Sequence, residues 1–176
     1  MNKKQWLGLG LVTVAAIGLA ACGNRASRKD SSDAKTDLKA AIVTDTGGVD
    51  DKSFNQSAWE GLQAWGKENG LSKDNGFTYF QSTSEADFAN NFSQAATNGY
   101  KLVYGVGYKL APAVTAAADE NADINYVIID SVVGDKKNVA SAVYADNEAA
   151  YLAGVAAAKT TKTNKVGFIG GARGEV

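Results

Sequence analysis

The chain has 176 residues, 45% of them apolar and 21% charged, with a formal net charge of −1. That composition fits one α/β domain with room for the start of a second, and it excludes a disordered tail, a fibrous protein and a basic nucleic-acid binder. With no histidine and a single cysteine, Ser-His-Asp and Cys-His nucleophile systems, zinc sites built on His or Cys, and any disulfide framework within the chain are ruled out.

Taken in chain order, Lys3 and Lys4 precede an apolar run over Trp6–Ala21. A short apolar run behind lysines and ending in small residues reads as a secretory signal peptide over residues 1–21, and it is too short for a comfortable membrane span. The run closes on Leu19-Ala20-Ala21-Cys22, which has the form of a bacterial lipobox. That form predicts cleavage before Cys22 and lipidation of its thiol, and several acyl chains on one residue suffice for stable anchoring. Residues 22–37, rich in Ser, Lys, Asp and Arg without apolar periodicity, read as a flexible tether.

From Leu38 the pattern alternates between strand and helix. Leu38–Thr44 predicts a buried strand. Ser53 followed by Gln56 has capping-box form, and Ala58, Leu62 and Trp65 continue at helical spacing until Asn69-Gly70. Phe77–Gln81 is a second strand; Phe88, Phe92, Ala95 and Ala96 mark a second helix closed by Asn98-Gly99; Lys101–Val106 is a third strand. Leu110, Val114, Ala117 and Ala118 mark a third helix, with Pro112 tolerable in its first turn. Strands are predicted over Asn125–Asp130 and Val139–Tyr144, an Ala-rich helix over Asn147–Thr160, and a sixth strand over Lys165–Gly170. Such alternation implies an α/β fold with a parallel sheet covered by helices on both faces. Residues 38–144 then form a first lobe, and 145–176 a crossover and the beginning of a second.

Ligands of such sheets sit beyond the carboxyl ends of the strands, so residues just after each strand carry the information. Asp45, Asp130 and Asp146 follow strands one, four and five. The first loop, Asp45 to Asn55, is the densest polar stretch of the domain and holds Asp50, Asp51 and Ser53. Asp50 and Asp51 precede a helix N-terminus, where a carboxylate is favoured for that reason alone. Phe54, at the expected first helical position, is either a hydrophobic staple or a stacking platform at the mouth of the sheet. Tyr108, after Gly105-Val106-Gly107, takes the matching place behind strand three. Several carboxylates repel a phosphate and suit a neutral ligand rich in donors, while an aromatic face suits a planar base or a sugar ring. Nucleoside or sugar is the class these residues favour.

Enzyme readings fit less well. Asp45-Thr-Gly-Gly lacks the second Asp of an aspartyl phosphatase loop, and Tyr104-Gly105 stands where a phospho-receiver needs its Asp. Gly105-Val-Gly-Tyr-Lys-Leu110 lacks the third glycine of a dinucleotide fingerprint, and Gly170-Gly-Ala-Arg-Gly174 lacks the Lys-Ser/Thr of a phosphate loop. Asp45 to Ser53 lacks the alternating oxygen ligands of a calcium loop.

Longer stretches carry a resemblance. Asp50-Asp-Lys-Ser-Phe-Asn-Gln-Ser-Ala-Trp-Glu-Gly61 resembles the signature of the basic membrane protein family, bacterial substrate-binding lipoproteins of nucleoside ABC importers, including the purine nucleoside receptor A type. Asn98–Tyr108, Tyr126–Ser131, Asn138–Ser141, Tyr151–Ala157 and Lys165–Gly171 extend the similarity from the lipobox to the last residue. The resemblance implies a type I periplasmic-binding-protein fold, two α/β lobes closing around one nucleoside. Carried over by position, Phe54 would stack on the purine, and Asp45 with the neighbourhood of Asp51, Ser53 and Asn55 would bond its edge. Tyr108, Asp130 and Asp146 would line the cleft. The partners implied are a purine nucleoside of the inosine, guanosine or adenosine class, an ABC permease and the membrane through Cys22. No catalysis, cofactor, metal or nucleic acid is implied. The alternative is a lipoprotein of the same fold that reads a sugar or signal in sensing or adhesion. Members of that family run to about twice this length, so the resemblance makes the chain the amino-terminal part of a two-lobed protein.

Overall fold

Four consecutive residues with small or branched apolar side chains form the centre of the molecule. Strand β1 runs over Ala40–Val43, and none of its residues is more than 1% exposed. Burial on both faces is what a central parallel strand requires, which is why the segment is continuously apolar instead of alternating. The structure, a computed structural model, describes residues 35–170. The signal peptide, Cys22 and nearly all of the tether expected from the sequence lie outside the described residues.

The elements that follow are helix α1 (Phe54–Glu68), β2 (Phe77–Phe80), α2 (Phe88–Thr97), β3 (Leu102–Val106), α3 (Ala111–Glu120), β4 (Asn125–Ile129), β5 (Val139–Ala142) and α4 (Asp146–Thr160). Single turns of 3₁₀ helix over Glu85–Asp87 and Tyr108–Leu110 lead into α2 and α3. Helices α1 and α2 end at Asn69 and Asn98, and the glycines behind them, Gly70 and Gly99, take left-handed φ angles of 69° and 80°. Only glycine enters that region without a steric penalty, so the two Asn-Gly pairs stop their helices where the sequence places the stops. Pro112 sits in the first turn of α3, where its missing N–H has no helical partner to lose.

All pairings are parallel and the strand order is β2-β1-β3-β4-β5. Side chains alternate between two cores. Ala41, Val43, Val103, Tyr126 and Ile128 meet Phe88, Phe92 and Ala95 of α2 and Val114, Ala117 and Ala118 of α3. A full burial such as that of Phe92, 1% exposed, contributes roughly 1.5–3 kcal/mol. On the other face, Ala40, Ile42 and Val106 pack with Leu62 of α1. There Leu102, Tyr104 and Ile129, partly buried, join Ala58, Leu62 and Trp65 of α1 around an apolar cavity of about 220 Å³.

Two local expectations are corrected. Ser53 does stand at the cap of α1, but its side chain makes no capping bond; the cap is the Asp51 carboxylate two residues earlier. Lys165–Gly170 forms no strand. Phe168 and Ile169 are 94% and 98% exposed, and the sheet ends at β5. A strand exists only through its ladder partners, and the apolar run finds none here. Every residue of α4 except Val155 is likewise exposed. No described helix is long and apolar enough to cross a membrane.

Candidate functional site

Because all five strands are parallel, their carboxyl ends share one edge of the sheet. The strand order reverses between β1 and β3: the chain runs outward from β1 to β2, then returns to β3 on the other side of β1. A crevice forms at such a switch point, since the loops that follow the two strands diverge to opposite faces. The loop after β1 contributes Asp45 to Asn55, and the loop after β3 contributes Gly107 to Leu110.

The first loop is organised by two carboxylates and one amide. Asp45 Oδ1 accepts from the Gly47 N–H at 2.8 Å and from Asn55 Nδ2 at 2.6 Å. The same Nδ2 donates to Asp51 Oδ2 at 2.9 Å. Asp51 also accepts from the backbone N–H groups of Ser53, Asn55 and Gln56 at 2.8–3.1 Å. It therefore takes over the free donors at the start of α1, which is the physical reason a capping Ser53 hydroxyl is not needed. Burial by itself would raise the Asp51 carboxyl, but the donors of Gln56, Ser53 and Asn55 outweigh it and hold the group below the usual carboxylate range.

That capping role has a pH signature. A depressed folded pKa means that the contribution of Asp51 is present above the unfolded value of about 3.9 and is lost as pH falls through the folded one. Asp51→Ala should cost about 0.5–2 kcal/mol at pH 7. Thermal unfolding over a pH series should show the gap to the wild type narrowing below about pH 4. A gap independent of pH would mean that the carboxylate is not the cap.

Asn55 is 1% exposed. Carboxylates only accept, so its NH₂ end must face Asp45 and Asp51. Its Oδ1 is then left buried without a donor among the described residues. Buried polar atoms are rarely left unpaired, which makes Asn55 Oδ1 the unsatisfied acceptor of this loop. Phe54, the first residue of α1, is 64% exposed. Its ring is thus outside the core, as a stacking platform requires and a packed staple does not. Asp50 is exposed and enters none of these bonds.

Across the switch point, Gly107 has φ 107°, and a Cβ there would lie 3.8 Å from Asp45 Oδ2. Tyr108 follows, half-buried, in the 3₁₀ turn. Lys109 Nζ donates to Glu85 Oε1 at 2.6 Å, tying the loop after β3 to the loop after β2. That hydrogen bond and the charge of Glu85 push Lys109 up, with smaller contributions from Tyr108 and Asp45. Lys109, on which the charge of Asp45 acts, already has a carboxylate partner in Glu85.

Asp45, Asp51, Ser53, Phe54 and Asn55 therefore share the first loop and the start of α1, with Tyr108 in the loop across the switch point. Asp130 and Asp146 lie farther along the same edge, after β4 and β5. Asp130 is half-buried with φ 67°; burial, and then the charge of Asp146, raise its carboxyl. Asp146 is exposed and opens α4, where a carboxylate complements the helix N-terminus. Among the described residues no cluster of His, Cys, Asp and Glu could hold a metal ion.

The geometry also includes residues that sequence reasoning passed over. Thr44, Ser82 and Asn91 are 0%, 1% and 7% exposed and share hydrogen bonds directly behind Asp45. Ser, Thr and Asn near strand ends read as ordinary turn residues, and only their burial marks them.

Comparison with known proteins gives a consistent picture. The profile of the family described as "Bmp: ABC transporter substrate-binding protein PnrA-like" matches residues 38–176. The chain is 56% identical over 175 residues to the "ABC transporter nucleoside-binding protein BmpA" of Lactococcus lactis subsp. cremoris, covering 99% of this chain and 50% of that protein. It is 47% identical over 180 residues to the "CD4+ T-cell-stimulating antigen" of Listeria innocua, covering all of this chain and 50% of that protein. The chain thus spans about half the length of the curated relatives it matches. Among solved structures, an ABC transporter solute-binding protein from Aeropyrum pernix K1 superposes with a TM-score of 0.61 at 25% identity, over 69% of this chain and 32% of that one.

Proposed function

The chain belongs to the Bmp family of PnrA-like ABC transporter substrate-binding proteins, and from that premise we propose that it captures purine nucleosides for an ABC importer. The family is one of substrate-binding proteins, not of enzymes. The observation that carries the nucleoside reading is the state of the α1 N-terminus. A free helix N-terminus beside a switch point is a ready phosphate site. Here Asp51 already accepts from the N–H groups of Ser53, Asn55 and Gln56. A nucleotide would bring its phosphate against two carboxylates, with three of the N–H groups at the start of α1 already taken. A nucleoside brings neutral N–H and O–H donors, which Asp45 can accept, and a planar base for Phe54.

The name of the Lactococcus lactis relative, a nucleoside-binding protein, supports the same ligand class. We assign Phe54 to the base, Asp45 to its polar edge or the ribose hydroxyls, and Asp51, Ser53 and Asn55 to holding that loop in place. Tyr108 lines the crevice, and Asp130 and Asp146 stand farther along the same edge. The half of the protein that the relatives carry in addition supplies the opposing wall of a two-lobed cleft. Inosine, guanosine and adenosine should each raise the melting temperature of the full-length protein, whereas ribose, glucose and AMP should not. Stabilisation by sugars alone would replace the nucleoside with a sugar ligand.

Attachment is the other half of the proposal. With Cys22 as its acylated residue, the protein is anchored on the extracytoplasmic face of the membrane, next to the permease it would serve. Cys22→Ser removes the only thiol in the chain. Fractionation should find the variant unlipidated, and either released from the membrane or held as precursor. Normal lipid labelling of that variant would sink the anchor.

A further inference from the structure

Behind the site lies a buried polar chain that the ligand cannot reach. The last ladder bond on this side of β1 is from Thr44 N–H to the Phe80 carbonyl at 3.0 Å. Beyond it the backbone leaves the sheet, and its polar groups need other partners. Thr44 Oγ1 donates to the Asp45 carbonyl at 2.8 Å and accepts from the Ser82 N–H at 3.2 Å. Ser82 Oγ donates to the Thr44 carbonyl at 2.7 Å. Asn91 of α2 donates to Ser82 Oγ at 2.9 Å and to the Gln81 carbonyl at 3.3 Å.

We propose that Thr44, Ser82 and Asn91 are positioning residues for the ligand site, clamping the two peptide groups on either side of Asp45 and so fixing the direction of its carboxylate. The proposal rests on the reading of Asp45 as a ligand contact. The Thr44 carbonyl belongs to the peptide before the Asp45 Cα, and the Asp45 carbonyl to the peptide after it. Each accepts a hydrogen bond from this chain, so both dihedrals of Asp45 are held from behind. Those dihedrals set where Cβ points, and the bonds from the Gly47 N–H and Asn55 Nδ2 then hold the side-chain torsions that place Oδ1. The support is rigid because Asn91 lies on α2 beside Phe88, Phe92 and Ala95, all within the core. A satisfied buried network of this kind fixes one arrangement, since every alternative leaves a polar group dry and unpaired. Sites work when the residues that hold the contact group are themselves locked.

A purely structural role would seal buried polar groups without affecting the ligand, and the two roles separate experimentally. In the full-length protein, Thr44→Val keeps the side-chain outline and removes the hydroxyl, whereas Thr44→Ser keeps the hydroxyl. Calorimetric titration with inosine, at a temperature where all forms are folded, should show Thr44→Val weakened at least tenfold and Thr44→Ser less than threefold. Hydrogen exchange should speed up at the Gly47 N–H, which Asp45 Oδ1 accepts, and stay unchanged at Val103 in the core. Wild-type affinity in Thr44→Val with a lowered melting temperature would overturn the proposal and leave only a structural seal. Unchanged Gly47 protection would overturn it too, and that readout needs no ligand. If Thr44→Val does not fold, Ser82→Ala, which frees the Thr44 carbonyl, carries the same two measurements. Asp45→Ala keeps the underlying reading separate. Unaltered inosine binding in that variant removes Asp45 from the ligand, while the exchange result at Gly47 in Thr44→Val still decides whether the clamp orients the carboxylate.

Discussion

Phe54→Ala should weaken purine nucleoside binding by about 1–3 kcal/mol, roughly 5- to 150-fold in Kd, while leaving the melting temperature almost unchanged. The affinity loss is the usual range for removing an aromatic ring from beneath a base. The small stability effect follows from the 64% exposure of Phe54, which leaves little packing to lose. Phe54→Tyr should retain most of the affinity, because stacking needs a ring and the position is open to solvent. The opposite pattern, a large drop in melting temperature with unchanged affinity, would mark Phe54 as a staple that closes the start of α1 against the core.

Asp45→Ala should lower affinity by about 1.5–3 kcal/mol, the range for a hydrogen bond to a charged group. It should also loosen the loop, because the Gly47 N–H and one of the two bonds of Asn55 Nδ2 lose their acceptor. Asp50→Ala is the matched control. Asp50 is exposed in the same loop, so its removal changes net charge equally and should leave affinity within about twofold of the wild type. Equal losses from both substitutions would mean that binding reads the overall negative charge of the loop, not the geometry of Asp45.

Much of the scaffold is visible in the sequence because its signals are local. Phe88, Phe92 and Ala95 recur at helical spacing, and Asn98-Gly99 ends their helix with the one residue type that turns left-handed freely. Strands such as Ala40–Val43 reveal themselves as unbroken apolar runs. What fails is what depends on partners. Lys165–Gly170 has the composition of a strand, yet among the described residues none lies beside it to complete a ladder. The capping of α1 is missed for a related reason. Ser53 and Gln56 satisfy the sequence form of a capping box, but a charged carboxylate two residues earlier is a stronger acceptor and wins the N–H groups.

The site divides along the same line. Asp45, Phe54 and Tyr108 follow from two facts, strand ends and a parallel sheet, whereas Asn55 is singled out by the family resemblance; the β1–β3 switch point places their two loops side by side. Asp51 is found in the same place, but as the cap and brace of the loop. Asp130 and Asp146 share the edge without touching the cluster, because β4 and β5 carry them away from the switch. Thr44, Ser82 and Asn91 leave no trace in the pattern, since only tertiary burial turns a turn-like hydroxyl or amide into part of a network.

Under the proposed function, the first loop reads an uncharged purine nucleoside and rejects its phosphorylated form. Calorimetric titration of the full-length protein with inosine and, separately, with inosine monophosphate tests it most directly. Inosine should bind saturably, one to one, with the monophosphate at least a hundredfold weaker because its phosphate meets Asp45 and Asp51 where three N–H groups of the α1 N-terminus are already taken. Equal or tighter binding of the monophosphate would contradict it.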